Sequence, residues 1–220
     1  MANDIIFGST SLADLKFGTS NVSKVMLGSS EVWSNSGGNP WTDFDDDCSS
    51  LTGWTETTTG SSKINQKTGY FEIKGNSGYG EVAQTLAQTI PSEYWLEVNC
   101  AHPNIGGSYT VANWFHVFDG TYKLQVCTCK AGIYIQKGLA TGTYITNTDY
   151  EDSTYRDFQF HVNGDGTVDC YVNDSLIKAA VDMYANTATP KRIAFRSKDG
   201  GLGSSQLDIN NILLQTDSPI

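Results

Sequence analysis

Acidic residues that could form a catalytic pair are the first candidates for chemistry in this sequence. Hydrolysis of a glycosidic bond uses two carboxylates, one as the acid and one as the nucleophile or base. Glu97 lies on an alternating segment whose neighbouring same-face positions hold Trp95 and Asn99, and Glu72 has no acidic residue two or four positions away. Neither glutamate has a second carboxylate on its own strand, so the sequence predicts no catalytic residue.

Histidines and cysteines supply no clearer chemistry. His102, His116 and His161 are scattered along the chain, and no serine or cysteine lies in a nucleophile elbow. Cys127 and Cys129 point to the same face of a predicted strand and could hold half of a metal site, but no second His or Cys pair lies nearby. We therefore expect no metal and no cofactor, and we expect the cysteines to be small buried side chains.

An acidic run at Asp43, Asp45, Asp46 and Asp47 raises the question of calcium, since this ion prefers carboxylate oxygens. The spacing does not match an EF-hand loop. An acidic cap that discourages pairing at the edge of a sheet is the simpler interpretation. The sequence leaves both open.

A set of aromatic and polar residues favours ligand binding over catalysis. Alternation along neighbouring predicted strands allows aromatic rings, amides, a histidine and a carboxylate to share one sheet face. Flat rings cover the apolar faces of sugars, while amides and carboxylates bind the hydroxyl groups. Trp and Tyr on a sandwich strand also commonly belong to the core, which is the alternative interpretation. The predicted carbohydrate-binding residues are Trp95, Glu97, Asn99, Trp114, His116, Gln125 and Tyr134.

The composition favours a chain built of strands. Charged residues are only 17% of the chain, and Gly, Thr, Ser, Asn and Tyr are abundant, whereas helix-forming runs are short. With a net charge of -10, the chain lacks the clustered Lys and Arg that phosphate contacts need, so nucleic acid is not an expected partner. No apolar stretch approaches about eighteen residues, and no signal-peptide pattern opens the chain. We therefore expect neither membrane insertion nor export by a standard signal.

Short strand signals recur throughout the chain after Trp41. The clearest is the hairpin FQFHVNGDGTVDCYVND at 158–174, in which apolar residues alternate on both sides of an Asn-Gly-Asp-Gly turn. Only residues 178–186 look helical. This density of strands predicts a sandwich or jelly roll. The predicted strands are 70–74, 81–86, 94–100, 109–118, 121–127, 132–136, 157–162, 167–172, 192–196 and 206–214.

A ten-residue sequence motif occurs three times in succession at the start of the chain. DIIFGSTSLA, DLKFGTSNVS and KVMLGSSEVW align without gaps on an apolar position, a Gly and two hydroxyl residues, which predicts a strand and a tight turn in each unit. Val22 and Val25 lie three apart, so the ribbon contains a bulge or carries apolar groups on both sides.

The three repeats together are too short to bury a core of their own, so they need another surface to pack on. That surface is either the rest of this chain, or another copy of the chain or a larger assembly. The composition of 34–40, SNSGGNP, is typical of a linker. We therefore predict a β-repeat attachment or oligomerisation module at 1–33, a linker at 34–40 and the main domain at 41–220.

From Asp43 onwards the sequence resembles the concanavalin A-like lectins and glucanases, in particular the laminin-G-like jelly rolls. The similar segments are Asp43-Phe44-Asp45-Asp46 with Leu51-Thr52-Gly53-Trp54-Thr55, the hairpin FQFHVNGDGTVDCYVNDSLI, the strand RIAFRS and residues 204–214. The resemblance implies an all-β chain in which a small N-terminal β-repeat module precedes a concanavalin A-like jelly-roll sandwich. It implies no single activity, because fold alone does not give function.

The N-terminal repeats resemble short repeats at the start of bacteriophage virion proteins of tails, fibres and head decorations. This resemblance implies a structural protein that binds other virion proteins through residues 1–33, forms a homotrimer and is assembled in the host cytoplasm. Its lectin-like domain would be displayed on the virion surface, with a host-surface glycan as the ligand. A stand-alone carbohydrate-binding module and a glycoside hydrolase are the alternatives.

Overall fold

In the computed structural model the chain divides into two compact units, Met1–Trp41 and Thr42–Ile220. The structure describes residues 16–17, 20–21, 24–27, 30–34, 41–105, 113–118, 122–129, 132–135, 143–146, 148–182, 191–199 and 204–220. Regular secondary structure in these ranges is β throughout. None of the described segments is a helix long and apolar enough to cross a membrane.

The second and third sequence repeats each form a hairpin. The four strands are β1 (Lys16–Phe17), β2 (Ser20–Asn21), β3 (Lys24–Leu27) and β4 (Ser30–Ser34). Phe17 lies opposite Ser20 in the β1–β2 pair, and ten residues later Leu27 lies opposite Ser30 in the β3–β4 pair. The sequence repeat is therefore also a repeat of strand pairing. The first repeat lies outside the described residues.

The β3–β4 hairpin contains an irregularity in its register. The pairing shifts between Val25 and Met26, and Val25 lies opposite Trp33. The choice between the two alternatives that the spacing of Val22 and Val25 left open stays a prediction, because Val22 lies outside the described residues.

Strands β5 to β19 build the second unit. Their bounds are Phe44–Asp46, Thr55–Thr58, Lys63–Lys67, Tyr70–Gly75, Tyr79–Thr85, Tyr94–Asn104, Asn113–Phe118, Tyr122–Cys129, Gly132–Ile135, Thr143–Tyr144, Asp152–Val162, Thr167–Val172, Ser175–Asp182, Arg192–Lys198 and Ser205–Gln215. They form two antiparallel sheets. Sheet I has the order β17-β16-β15-β10-β19-β8-β7 with β5 paired to β19, and sheet II has the order β14-β13-β12-β11-β18-β9-β6.

The core lies between the two sheets and is rich in aromatic rings. Phe158 and Phe160 of β15 in sheet I have ring centroids 6.1 and 6.0 Å from that of Phe115 of β11 in sheet II. Phe195 of β18 lies 5.9 Å from the same ring, and all four side chains are fully buried. Since side chains alternate along a strand, the residues between these core positions lie on the outer faces of the sheets. The two outer faces point in opposite directions.

The hairpin at 158–174 is confirmed. β15 and β16 pair so that Phe160 lies opposite Cys170, and both are buried. The Asn163 backbone N–H donates to the Thr167 carbonyl at 2.8 Å across the turn. Gly166 has a φ of 88°, which glycine adopts without strain.

The prediction of a helix at 178–186 is wrong for residues 178–182, and residues 183–186 lie outside the described residues. Residues 178–182 belong to β17, where Lys178 lies opposite Cys170 and Val181 opposite Val168. The Ala180 backbone N–H also donates to Asp169 Oδ1 at 2.7 Å. Pairing to β16 supplies the hydrogen bonds that a short isolated helix would have to make within itself, so the strand is favoured.

Candidate functional site

Three of the predicted binding residues lie on the outer face of sheet I. Trp95, Glu97 and Asn99 alternate along β10 with the fully buried Tyr94, Leu96 and Val98. On β15 their cross-strand partners are His161, Gln159 and Asp157, in that order. We call the outer-face surface of Trp95, Glu97, Asn99, Asp157, Gln159, His161, Tyr171 and Asp174 the Trp95 face.

An aromatic cluster occupies one end of the Trp95 face. The Trp95 and His161 rings stack with centroids 4.4 Å apart and planes within 4° of parallel. Tyr171 of β16 lies with its ring centroid 5.4 Å from that of Trp95. Because its neighbours cover its ring faces, Trp95 is only 6% exposed, whereas His161 and Tyr171 keep partial contact with solvent.

Two carboxylates flank the histidine of this cluster. Glu93 Oε1 lies 3.3 Å from His161 Nε2, and Asp169 Oδ2 lies 3.8 Å from Nδ1. Asp169 is itself oriented by the Ala180 backbone N–H and by Asn163 Nδ2, which donates to its Oδ2 at 3.4 Å. The ring of His161 is therefore fixed on both edges as well as by the stack on Trp95.

A buried amide organises the polar part of the Trp95 face. Gln159 is 2% exposed, and its Nε2 donates to Glu97 Oε2 at 3.1 Å and to Asp174 Oδ1 at 2.8 Å. The Asp174 backbone N–H returns a bond to Gln159 Oε1 at 3.0 Å. Asp174 reaches this position because it and Asn173 form the β16–β17 turn with φ values of 61° and 49°.

Burial gives Glu97 an unusual proton affinity for a surface-strand carboxyl. Desolvation raises the pKa of Glu97, the hydrogen bond from Gln159 lowers it in part, and the carboxylates of Asp157 and Asp174 raise it further. The carboxyl can therefore donate as well as accept a hydrogen bond over a wider pH range than an exposed glutamate.

Asn99 extends the polar network toward the centre of sheet I. Its Nδ2 donates to Asp157 Oδ1 at 2.6 Å, and its Oδ1 accepts from Asn210 Nδ2 at 3.2 Å. Together with the Gln159 network, these amide and carboxylate groups form a strip of polar side chains from Asp174 to Asn210.

The other four predicted residues lie on the opposite side of the sandwich. Trp114 and His116 alternate on β11 with the core residue Phe115, and Gln125 of β12 lies opposite His116. Tyr134 of β13 lies in the same row, opposite Cys127 of β12. The prediction that all seven residues share one sheet face is wrong, because β10 belongs to sheet I and β11 to sheet II.

Most of this second group is packed away from solvent. Trp114 is 8% exposed and clusters with Ile105 and Cys127, while His116 and Gln125 are 3% and 6% exposed. Burial, with a smaller contribution from Arg196, lowers the pKa of His116 to about 3. Tyr144 at the edge of the row is 48% exposed, and its ring centroid lies 4.9 Å from that of Tyr134. The group offers less accessible surface than the Trp95 face.

The acidic run at 43–47 closes a turn through its own hydrogen bonds. Asp46 accepts from the Cys48 backbone N–H at 2.8 Å and from Trp54 Nε1 at 2.9 Å, and Asp47 accepts from the Ser49 backbone N–H at 3.0 Å. Nowhere among the side chains that the structure describes do three His, Cys, Asp or Glu residues meet so as to hold a metal ion. Cys48, Cys100, Cys127 and Cys170 are buried and unbridged.

His161, Gln159, Tyr171 and Asp174 are the functional candidates that the sequence prediction missed. They lie more than fifty residues from β10 in sequence, and only strand pairing brings them beside Trp95. A signal was present, because alternation in the 158–174 hairpin already assigns Gln159, His161 and Tyr171 to the face away from the core.

Comparison with known proteins gives a likeness at the level of the fold. No family profile and no curated protein sequence matches this chain. A solved sialidase structure is similar with 14% identity and a TM-score of 0.63 over 80% of this chain, which spans 18% of the sialidase. The Bacillus licheniformis β-glucanase is similar with 13% identity and a TM-score of 0.58, covering 81% of this chain and 100% of that one.

A third similar structure is the carbohydrate recognition domain of Emp46p, with 14% identity, a TM-score of 0.52 and coverage of 79% of this chain and 92% of that one. At identities this low, the similarity indicates a shared fold and does not indicate a shared activity. The two antiparallel sheets and these neighbours confirm the predicted fold, an all-β jelly-roll sandwich.

Proposed function

We propose that this protein is a non-catalytic, glycan-binding structural component of a bacteriophage virion. The observation that carries glycan binding is the position of the Trp95–His161–Tyr171 cluster beside the Gln159 amide network on one outer sheet face. Aromatic rings can pack against the apolar face of a sugar, and the adjoining amides and carboxylates can bind its hydroxyl groups. The names of the similar structures, a glucanase and a carbohydrate recognition domain, support the same class of ligand.

A glycan array of bacterial surface polysaccharides tests this proposal. The Tyr171→Ala variant removes the half-buried ring of the cluster and leaves the core intact, so we expect binding to weaken by about tenfold or more. Tyr144→Ala is the matched control, because Tyr144 is an exposed tyrosine on the opposite sheet. The proposal fails if the wild-type chain binds no polysaccharide, or if Tyr144→Ala abolishes binding and Tyr171→Ala does not.

The virion role rests on the N-terminal repeats. Their ten-residue period is matched by a ten-residue period of hairpin pairing, and hairpins this short gain stability by packing on another surface. In this proposal residues 1–33 bind other virion proteins and trimerise the chain, and the jelly roll is displayed on the virion surface after assembly in the host cytoplasm.

Deletion of residues 1–33 tests the attachment role. We expect the truncated chain to remain soluble and folded, to change from trimer to monomer in size-exclusion chromatography with light scattering, and to fail to join the particle. A truncated chain that is still incorporated into particles would contradict the modular assignment.

A glycoside hydrolase is the second candidate, and one observation favours it. Glu97 and Asp174 accept hydrogen bonds from the same Gln159 amide, so two carboxylates lie close together on the Trp95 face. Burial raises the pKa of Glu97, as a general acid requires. Release of reducing ends from mixed-linkage β-glucan by the wild-type chain, and its loss in the Glu97→Gln variant, would establish this function. We expect no hydrolysis by the wild-type chain or by the variant.

A further inference from the structure

The outer face of sheet I carries a second aromatic site, distant from the Trp95 cluster. The rings of Tyr70 on β8 and Tyr155 on β15 meet edge to face with centroids 6.5 Å apart. Tyr155 is 39% exposed, which makes it one of the most accessible large side chains in the described part of the jelly roll. Tyr70 alternates with the core residues Phe71 and Ile73, so the pair lies on the outer face.

Polar groups surround this tyrosine pair as they surround the Trp95 cluster. Gln206 Nε2 donates to both oxygens of Asp208, at 2.9 and 3.0 Å, and to Glu72 Oε2 at 3.4 Å. Asn65 Nδ2 donates to the other oxygen of Glu72 at 2.8 Å. Burial, and then the nearby Asp208 carboxylate, raises the pKa of Tyr155 to about 12, so its hydroxyl stays protonated and available as a donor.

The two aromatic sites are joined by a polar strip and separated by a length greater than one sugar unit. His161 and Tyr155 both lie on β15, six residues apart, which corresponds to about 20 Å along an extended strand. Asp157 and Gln159 occupy the same face between them. The bond from Asn210 to Asn99 continues the strip across β19 toward Tyr70.

We infer that this face binds an extended, uncharged polysaccharide that runs along β15 from the Trp95 cluster to the Tyr70–Tyr155 pair. The inference rests on the proposed glycan-binding function and deepens it. Two aromatic sites joined by hydrogen-bonding groups match a chain of repeating units, each with an apolar face and hydroxyl groups. A single monosaccharide would leave one of the two sites unused.

The negative charge on this face disfavours binding of an anionic polysaccharide. The carboxylates of Glu97, Asp157, Asp174 and Asp208 lie along the path, and the two lysines near its end, Lys67 and Lys74, are already paired with Glu72 at 3.8 and 3.0 Å. A polysaccharide of uronic acids would bring further negative charge against them. Neutral hydroxyl groups instead find acceptors at every step of the strip.

Fragments of graded length test the inference. The probe is the neutral polysaccharide that gives the strongest array signal, partially hydrolysed and fractionated into chains of two to eight units, and its affinity is measured by isothermal titration calorimetry. We expect affinity to rise by about tenfold or more from the shortest to the longest fragments, as a second contact site adds to the first. Tyr155→Ala should abolish this rise, so that its affinities for the shortest and the longest fragments become similar.

Variants and outcomes separate this inference from the proposed function. Tyr70→Leu is a second variant with the same expected effect, Tyr144→Ala is the control on the opposite sheet, and thermal melts verify that each variant is folded. If wild type binds the shortest and longest fragments equally and Tyr155→Ala changes nothing, the extended site is wrong and glycan binding stands. If the array signals come from anionic polysaccharides alone, the assignment of an uncharged ligand is wrong. If no array polysaccharide binds, both proposals fall.

Discussion

His161 lies directly opposite Trp95 in the β10–β15 pair, and the two rings stack with their centroids 4.4 Å apart. The stack covers one face of the indole and joins two strands that lie side by side in the centre of sheet I. The same contact therefore stabilises the sheet and shapes the aromatic end of the Trp95 face.

Removing the imidazole tests both roles of this contact. We expect His161→Ala to lower the free energy of unfolding by about 1 kcal/mol, because a stacked aromatic pair is lost, and to shift the Trp95 fluorescence to longer wavelength as the indole gains water. The shift is isolated by subtracting the spectrum of a Trp95→Phe variant. His161→Phe keeps a ring at the position and should show neither change. An unaltered Trp95 emission in His161→Ala would contradict the stacking role.

Buried histidines make the fold sensitive to acid. His102 is fully buried, Asn113 Nδ2 donates to its Nδ1 at 3.0 Å, and burial, with a smaller contribution from Arg156, lowers the pKa of His102 to about 3. His116 has a pKa of about 3 for the same main reason. The unfolded chain takes up these protons near pH 6.5 while the folded chain does not, so stability present above pH about 6.5 is lost as the pH falls.

Urea unfolding at pH 7 and pH 5 measures this effect. Below pH about 6.5 we expect each buried histidine to remove about 1.4 kcal/mol of unfolding free energy per pH unit. His116→Gln should reduce the slope by about half, since one of the two groups no longer titrates. Equal stability at the two pH values would mean that these histidines are accessible to water in the folded state.

Trp114 is expected to act as a core residue and not as a sugar platform. It packs with Ile105 and Cys127 and is 8% exposed. Trp114→Ala should therefore lower the free energy of unfolding by about 3 kcal/mol, the range of large-to-small changes in a packed site. Tyr144→Ala, on the same outer face but 48% exposed, should change it by less than about 0.5 kcal/mol. Chemical denaturation of both variants tests this, and equal stabilities would show that Trp114 is not packed.

A glycine marks a close approach of the two sheets at one corner. A Cβ placed on Gly75 of β8 would lie 2.7 Å from backbone atoms of Lys198 and Asp199. Gly75→Ala should force the backbones apart and destabilise the fold by about 2 kcal/mol. Gly164→Ala is the control, because its nearest neighbour is the Glu93 carboxylate at 3.7 Å. Melting temperatures of the two variants compare the sites, and a harmless Gly75→Ala would contradict the close approach.

Alternation of buried and exposed residues explains which strands were predictable. The pattern from Tyr94 to Cys100 and in the 158–174 hairpin is strong because each strand has one face in the core. β6 and β7, with the sequences TETT and KINQK, were not predicted. They lie at the edges of their sheets and bury little, so folding imposes no hydrophobic pattern on them.

The binding site was predictable only as far as local periodicity reaches. The alternation of side chains along a strand correctly predicted that Trp95, Glu97 and Asn99 share one face. It could not reveal that Trp114 lies across the sandwich, because β10 and β11 are consecutive in sequence yet belong to different sheets. Sheet membership depends on pairing between distant strands, and the same long-range pairing brings Gln159, His161 and Tyr171 to the Trp95 face.

Strand β19 lies in the middle of sheet I. It lies between β10 and β8 and also pairs with β5, so β5 lacks its partner, and β8 and β10 each keep one open edge, until β19 has left the ribosome. The N-terminal hairpins, by contrast, pair within ten residues and can form as soon as they emerge. A chain cut short by premature termination would carry the local hairpins but an open sheet edge, which exposes it to proteases and chaperones. The position of β19 thus makes synthesis of residues 205–215 a condition for a complete sheet I.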